Sequence, residues 1–153
     1  MSEVIQKERI LHMWGVAEYM YQNASKYGLK PDKMYVLGLL HDIGYINGKQ
    51  DHEWFGCEIM QRLGFKYSEE INLHGDSIED IFNSFHSMTP ELRLLLEADL
   101  SIGLNGEYLG YEDRLKDIGN RHGFDSDAYK TCENTVNWLK SQENRKGIKK
   151  INN

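Results

Sequence analysis

Apolar positions along the chain recur at helical spacing almost throughout. Val4, Ile5, Leu11, Val16, Ala17, Met20 and Ala24 fit one face of a helix over residues 3–27, with Lys, Glu and Gln between them and Gly28 as the stop. Pro31-Asp32 opens a second helix, which runs to about Ile43 and stops at Gly44. Its Val36, Leu37, Leu39 and Leu40 cover most of the circumference and predict a helix packed on nearly all sides. Asn47-Gly48-Lys49-Gln50 is a turn, after which Asp51 caps a third helix from His52 to Leu63, closed by Gly64. Ser68 caps a short helix from Glu69 to Leu73, and Ser77 starts another that carries Ile78, Ile81, Phe82 and Phe85 and ends near His86. Thr89 as cap, Pro90 at the first helical position and Glu91 in the first turn open a leucine-rich helix to Ile102. Residues 103–110 hold three glycines and read as a loop. A helix from Tyr111 to His122 ends at Gly123, and Asp125 or Ser126 caps a last one to about Asn144, with Tyr129, Cys132, Val136 and Leu139 on its packed face.

The pattern contains no internal repeat, no linker and no convincing strand. It predicts an all-α, single-domain bundle of about seven helices over residues 1–144, followed by a basic, flexible tail over 145–153. With 153 residues, 40% of them hydrophobic and 27% charged, the chain can bury a real core. No apolar run approaches the roughly 20 residues that cross a bilayer, and the charged start Met-Ser-Glu-Val-Ile-Gln-Lys-Glu is not a signal peptide. Cys57 and Cys132 form no Cys-x-x-Cys pair and read as reduced thiols of a cytoplasmic protein. A net charge of −6 argues against nonspecific nucleic-acid binding. If the substrate is a phosphate compound, bound metal ions would supply the positive charge this acidic chain lacks.

Polar residues of metal-ligand type stand out against this apolar pattern. His12 lies mid-helix between Leu11 and Met13-Trp14; His41 and Asp42 close the apolar run of the second helix; His52 opens the third; His86 closes a later one; and Asp99 is embedded among leucines. Each alone has a plain structural explanation, such as a hydrogen-bonded core histidine. Together they are harder to explain that way, because buried carboxylates need strong partners. Asp42 ends one helix and His52 starts the next, so a short loop brings them together. By contrast, His74 and His122, each followed by a glycine, read as helix-end histidines beside the C-terminal dipole. Imidazole and carboxylate without thiolate suit Fe, Mn, Co, Ni or Zn. Six ligands exceed what one catalytic metal takes with open positions, and suffice for two divalent ions sharing a carboxylate.

The order His12, His41-Asp42 (within His-Asp-Ile-Gly), Asp99 resembles the HD-domain metal-dependent phosphohydrolases, over roughly residues 8 to 102. The segments Asp51-His-Glu-Trp-Phe-Gly56 and Ser84-Phe-His86 look like the extra histidines of the dinuclear subset, similar to HD enzymes that split dinucleoside tetraphosphates. The resemblance implies that His12, His41, Asp42 and Asp99 hold one metal and that His52 and His86 hold a second. Asp42 would bridge the two and serve catalysis through the metal-bound water. It also implies a small-molecule phosphorylated substrate of nucleotide type; the charge and the lack of a long apolar run leave neither nucleic acid nor membrane as an expected partner. Tyr45 after His-Asp-Ile-Gly, and the lack of a Gly-Tyr-Pro motif, depart from the branch that hydrolyses cyclic dinucleotides. Lys49 and Arg93, close in sequence to proposed ligands, are candidate phosphate-binding residues, with solvated surface charge as the alternative. The competing functional reading is a non-catalytic, metal-stabilised module that senses nucleotides or binds a partner.

Overall fold

A computed structural model describes residues 5–48, 50–84 and 88–152, the stretch 144–152 as helical backbone. Eight α-helices follow one another among these residues: α1 Lys7–Asn23, α2 Pro31–Leu40, α3 His52–Arg62, α4 Ser68–Leu73, α5 Ile78–Ser84, α6 Pro90–Asp99, α7 Tyr111–His122 and α8 Asp127–Asn152. Two short 3-10 turns, Ala24–Tyr27 and Ile43–Asn47, join α1 to α2 and α2 to α3. The described residues contain no strand, only an isolated antiparallel bridge between Ile102 and Tyr108. The all-α, single-domain expectation holds, and no described helix is long and apolar enough to cross a membrane.

The core forms around α6. Leu92, Leu94, Leu95, Leu96 and Ala98 point in all directions and are all buried, so α6 is the central helix, and even its Glu97 is buried. Thr89 caps it by accepting from the Leu92 amide at 3.1 Å, with Pro90 in the first turn. Helices α1 and α2 lie against it with Val16, Met20, Met34 and Leu37 fully buried. The two approach closely where a Cβ on Gly38 would meet Ala17 Cα at 2.8 Å. That contact lies within a few residues of both His12 and His41. From His12 to Gly28 is longer than from Pro31 to His41 by about 9 Å at 1.5 Å per residue. Setting the crossing at Ala17–Gly38 reduces this offset.

Other boundaries shift in instructive ways. Helix α2 is less enclosed than its sequence suggests: Leu37 and Gly38 are buried, but Val36 is exposed and Leu39 and Leu40 only half-buried. Asp99 is the last residue of α6 and not an interior one. Helix α8 continues to Asn152 instead of stopping near Asn144, since no proline interrupts 145–152 and Gly147 alone is a modest helix penalty. The caps at Ser77 and Ser126 are as expected, accepting from the Asp80 and Tyr129 amides at 3.1 Å each.

One buried acid carries a testable pH dependence. The Thr89 hydroxyl donates to Glu70 at 3.1 Å, yet burial, reinforced by Glu91 and Glu69, pushes the Glu70 carboxyl up. A raised folded pKa means the folded chain holds the proton more tightly than the unfolded one. The resulting stability is full below the ordinary value of about 4.5 and is lost as pH rises through the folded value. Glu70→Gln keeps an oxygen for Thr89 and removes the charge. It is expected to melt higher than wild type at pH 7–8, with the gain closing toward pH 4.5; a gain independent of pH would contradict this assignment.

Candidate metal centre

Five side chains from four helix ends and one helix interior meet around Asp42. His12 comes from the middle of α1, His41 caps the C-terminus of α2, Asp42 follows it, His52 opens α3, and His74 caps the C-terminus of α4. Asp99 arrives at the end of α6. His12 and His41 are wholly buried and Asp42 and His74 nearly so.

The Asp42 carboxylate is divided between two sets of partners. Its Oδ2 lies 3.2 Å from His41 Nε2 and 3.8 Å from His12 Nε2. Its Oδ1 lies 3.4 Å from His52 Nε2 and 3.3 Å from His74 Nε2. Asp99 Oδ1 completes the first set, at 2.8 Å from His12 Nε2 and 3.5 Å from His41 Nε2. One donor atom from each member of His12/His41/Asp42, of His41/His74/Asp99 and of Asp42/His52/His74 falls within 4.8 Å of the others in its set.

Each imidazole turns its Nε2 inward because its Nδ1 is held by an acceptor behind it. Nδ1 of His12 donates to the Gly103 carbonyl at 3.1 Å, that of His41 to Gly38 at 2.6 Å and that of His74 to Ile71 at 2.5 Å. Nδ1 of His52 lies 3.3 Å from the Glu53 carboxylate. A carbonyl only accepts, so Nδ1 carries the hydrogen and the neutral ring presents a lone pair at Nε2. Second-sphere partners orient metal-binding histidines in this way. The lone pairs face carboxylate oxygens, which are themselves acceptors, so a cation must reconcile them.

Without metal, protons take that role. Burial opposes a charged His41, but the Asp42 carboxylate overrides it and pushes His41 up to about 10. Burial likewise opposes the charge on His74, and Asp42 raises it. Burial would raise Asp42 and Asp99, yet the surrounding imidazoles hold both well below the usual carboxylate range. Protons do not satisfy the site fully, because Nε2 of His41 is buried with no hydrogen-bond partner despite oxygens at 3.2 and 3.5 Å. An orphaned buried imidazole nitrogen amid carboxylates and further imidazoles fits a divalent transition metal.

A family model for the HD domain matches residues 9–115, more than half of the chain. The chain belongs to the HD-domain family. Searches of curated proteins and of solved structures gave no match. HD-domain proteins are generally metal-dependent hydrolases of the phosphohydrolase type, and the buried His/Asp cluster is able to hold such a metal.

The cluster brings together His12, His41, Asp42, His52 and Asp99, all singled out in the sequence; His86 and Lys49 lie outside the described residues. His74 corrects the sequence reading. Its Nδ1 does cap a helix end, but its Nε2 faces Asp42 at 3.3 Å. Arg93 is placed elsewhere, with its guanidinium over the rings of Tyr27 and Trp138 at 5.2 and 5.9 Å. Six residues before Asp99 on a helix, it faces about 240° away at 100° per residue. The cation at the site is Arg9, which the sequence did not reveal. Its Nη1 lies 3.2 Å from Asp42 Oδ2, and its guanidinium sits 4.1 Å above the Tyr45 ring. The other stacking partner of Tyr45 is His52, at 4.1 Å between centroids. His74→Ala is expected to lower the metal bound per chain, as read by elemental analysis; unchanged stoichiometry would return His74 to a purely capping role.

Proposed function

We propose that this chain is a dinuclear metal-dependent phosphohydrolase that cleaves a phosphate ester or anhydride of a nucleotide-type small molecule, with dinucleoside polyphosphates as the first class to test. The observation that carries the reading is the division of Asp42. One oxygen faces His12 and His41, with Asp99 beside them, and the other faces His52 and His74, an arrangement suited to a carboxylate shared by two ions. Bound there, the ions supply an acidified water and polarise the phosphoryl oxygens.

The chain's own residues do the positioning. The carbonyls of Gly103, Gly38 and Ile71 and the carboxylate of Glu53 keep four imidazoles aimed at the Asp42 carboxylate, two at each oxygen, so little reorganisation accompanies binding. Arg9 is the anion-binding group in place of Arg93. Its side chain is 20% exposed and reaches the cluster from α1. Arg9, its guanidinium supported by the Tyr45 ring 4.1 Å below it, would offer its fork to a phosphoryl oxygen of the substrate. Burial, with Asp42 adding to it, pushes the Tyr45 hydroxyl up to about 12, so it remains a proton donor at neutral pH.

The test is a hydrolysis assay of metal-loaded protein on dinucleoside tetraphosphates and on nucleoside mono-, di- and triphosphates. Turnover that a chelator removes and metal restores is expected, with Arg9→Met raising KM about tenfold, the loss of one charge-assisted hydrogen bond. A fully loaded protein that hydrolyses none of them would leave the metal-stabilised binding module as the better account.

A further inference from the structure

We propose that Arg114 on α7 is the positioning residue for Asp99, setting the affinity of the metal site that His12, His41, Asp42 and Asp99 form; the inference rests on the metal-centre reading above. Arg114 is 5% exposed, unusual for a guanidinium, and its nitrogens are all directed. Nε donates to the Asp99 backbone carbonyl at 3.0 Å, Nη2 lies 4.0 Å from Asp99 Oδ1, and Nη1 donates to Asp117 Oδ2 at 3.3 Å. Asp117 is held in turn by Arg121 Nη2 at 3.3 Å.

The local fold explains why Arg114 reaches Asp99. The Asp99 carbonyl lies in the last turn of α6, where carbonyls lack helical partners and a cation is favourable. The chain then turns back on itself: the amides of Leu109 and Gly110 both donate to the Ser101 carbonyl, at 2.7 and 3.1 Å. That return starts α7 directly beside the end of α6 and puts Arg114, one turn into α7, over Asp99. The same loop supplies Gly103, whose carbonyl holds His12. Residues 100–114 thus support two ligands of one site: His12 through a carbonyl, Asp99 through a guanidinium. Only an arginine spans the main chain and carboxylate of Asp99 and Asp117 at once, because a lysine has a single nitrogen.

The test is a cobalt(II) titration read by visible d–d absorption and by competition with a chelator. Wild type, R114K, R121M and D117N are compared, with the helical circular dichroism of each. R114K is expected to weaken one cobalt equivalent by about 10–100-fold, the usual cost of losing an outer partner of a metal ligand, and to alter its spectrum. R121M, which removes a partner of Asp117 that does not touch Asp99, is expected to bind as wild type does. If R114K does not fold, D117N decides, with a several-fold loss expected. Wild-type affinity in folded R114K, or in D117N when R114K does not fold, would overturn the proposal while leaving the metal centre intact. A wild-type chain that takes up no cobalt would overturn both.

Discussion

Replacing Asp42 by alanine is expected to empty both metal positions and stop turnover while the helical bundle stays folded. Losing an outer partner costs a metal site about 10–100-fold; the Asp42 oxygens face both sets of histidines directly, one oxygen to each, so its removal should exceed that range at each. Breaking a buried ion pair costs about 3–5 kcal/mol when a charge is stranded, and here none need be. Arg9 is partly exposed and can turn toward water. His41 and His74 are held protonated against their burial chiefly by Asp42, so these two rings become neutral when it leaves. The measurements are metal content, phosphate release and circular dichroism on the same sample. A variant that unfolds would favour a structural role for the cluster; one that retains two metals would contradict the bridging geometry.

Gly44→Ala is expected to have the largest effect of any single methyl group. A Cβ there would fall 1.7 Å from the His52 carbonyl oxygen and 2.7 Å from the Gly56 amide, both backbone atoms of the first turns of α3. Backbone cannot rotate away as a side-chain tip can, so α3 must move and carry His52 away from Asp42. Overpacking costs about 1–3 kcal/mol. At the upper end, with about 2–4 °C per kcal/mol for a domain of this size, Tm falls by roughly 6–12 °C. The metal position of His52 and His74 should be lost with it. Gly28→Ala is the informative comparison, because Gly28 has φ of 70° and nothing within 4 Å of its Cβ position. Its cost is backbone strain alone, about 1–2 kcal/mol, with metal content unchanged. Equal metal loss in both variants would show that general destabilisation, not the displacement of His52, empties the site.

The fold was largely legible because its signals are local. Thr89-Pro90, Ser126, Gly28 and Gly123 mark helix boundaries through their own backbone chemistry, and the leucines of α6, set on several sides of the helix, declare a buried one. His12, His41, Asp42 and Asp99 were legible for a related reason, since polar groups in apolar helices need partners. His74 was not, because its two nitrogens do different things. Nδ1 caps the end of α4 as any helix-end histidine does, and only the packing of α4 on α3 and α6 turns Nε2 to Asp42. Arg9 and Arg114 escaped for the opposite reason. Arginines at helix positions look like surface charge, and nothing in their neighbours announces that one lies over Tyr45 and the other is buried beneath Asp99. Arg93 was the converse error: sequence proximity to Asp99 without the same helical face.

The central claim is a two-metal site built on Asp42, and metal content tests it most directly. Protein purified without chelator or metal-affinity resin, then analysed for transition elements per chain, is expected to carry about two equivalents, or to reach two on soaking in Mn, Fe, Co, Ni or Zn. A chain that holds none and takes up none would contradict the account.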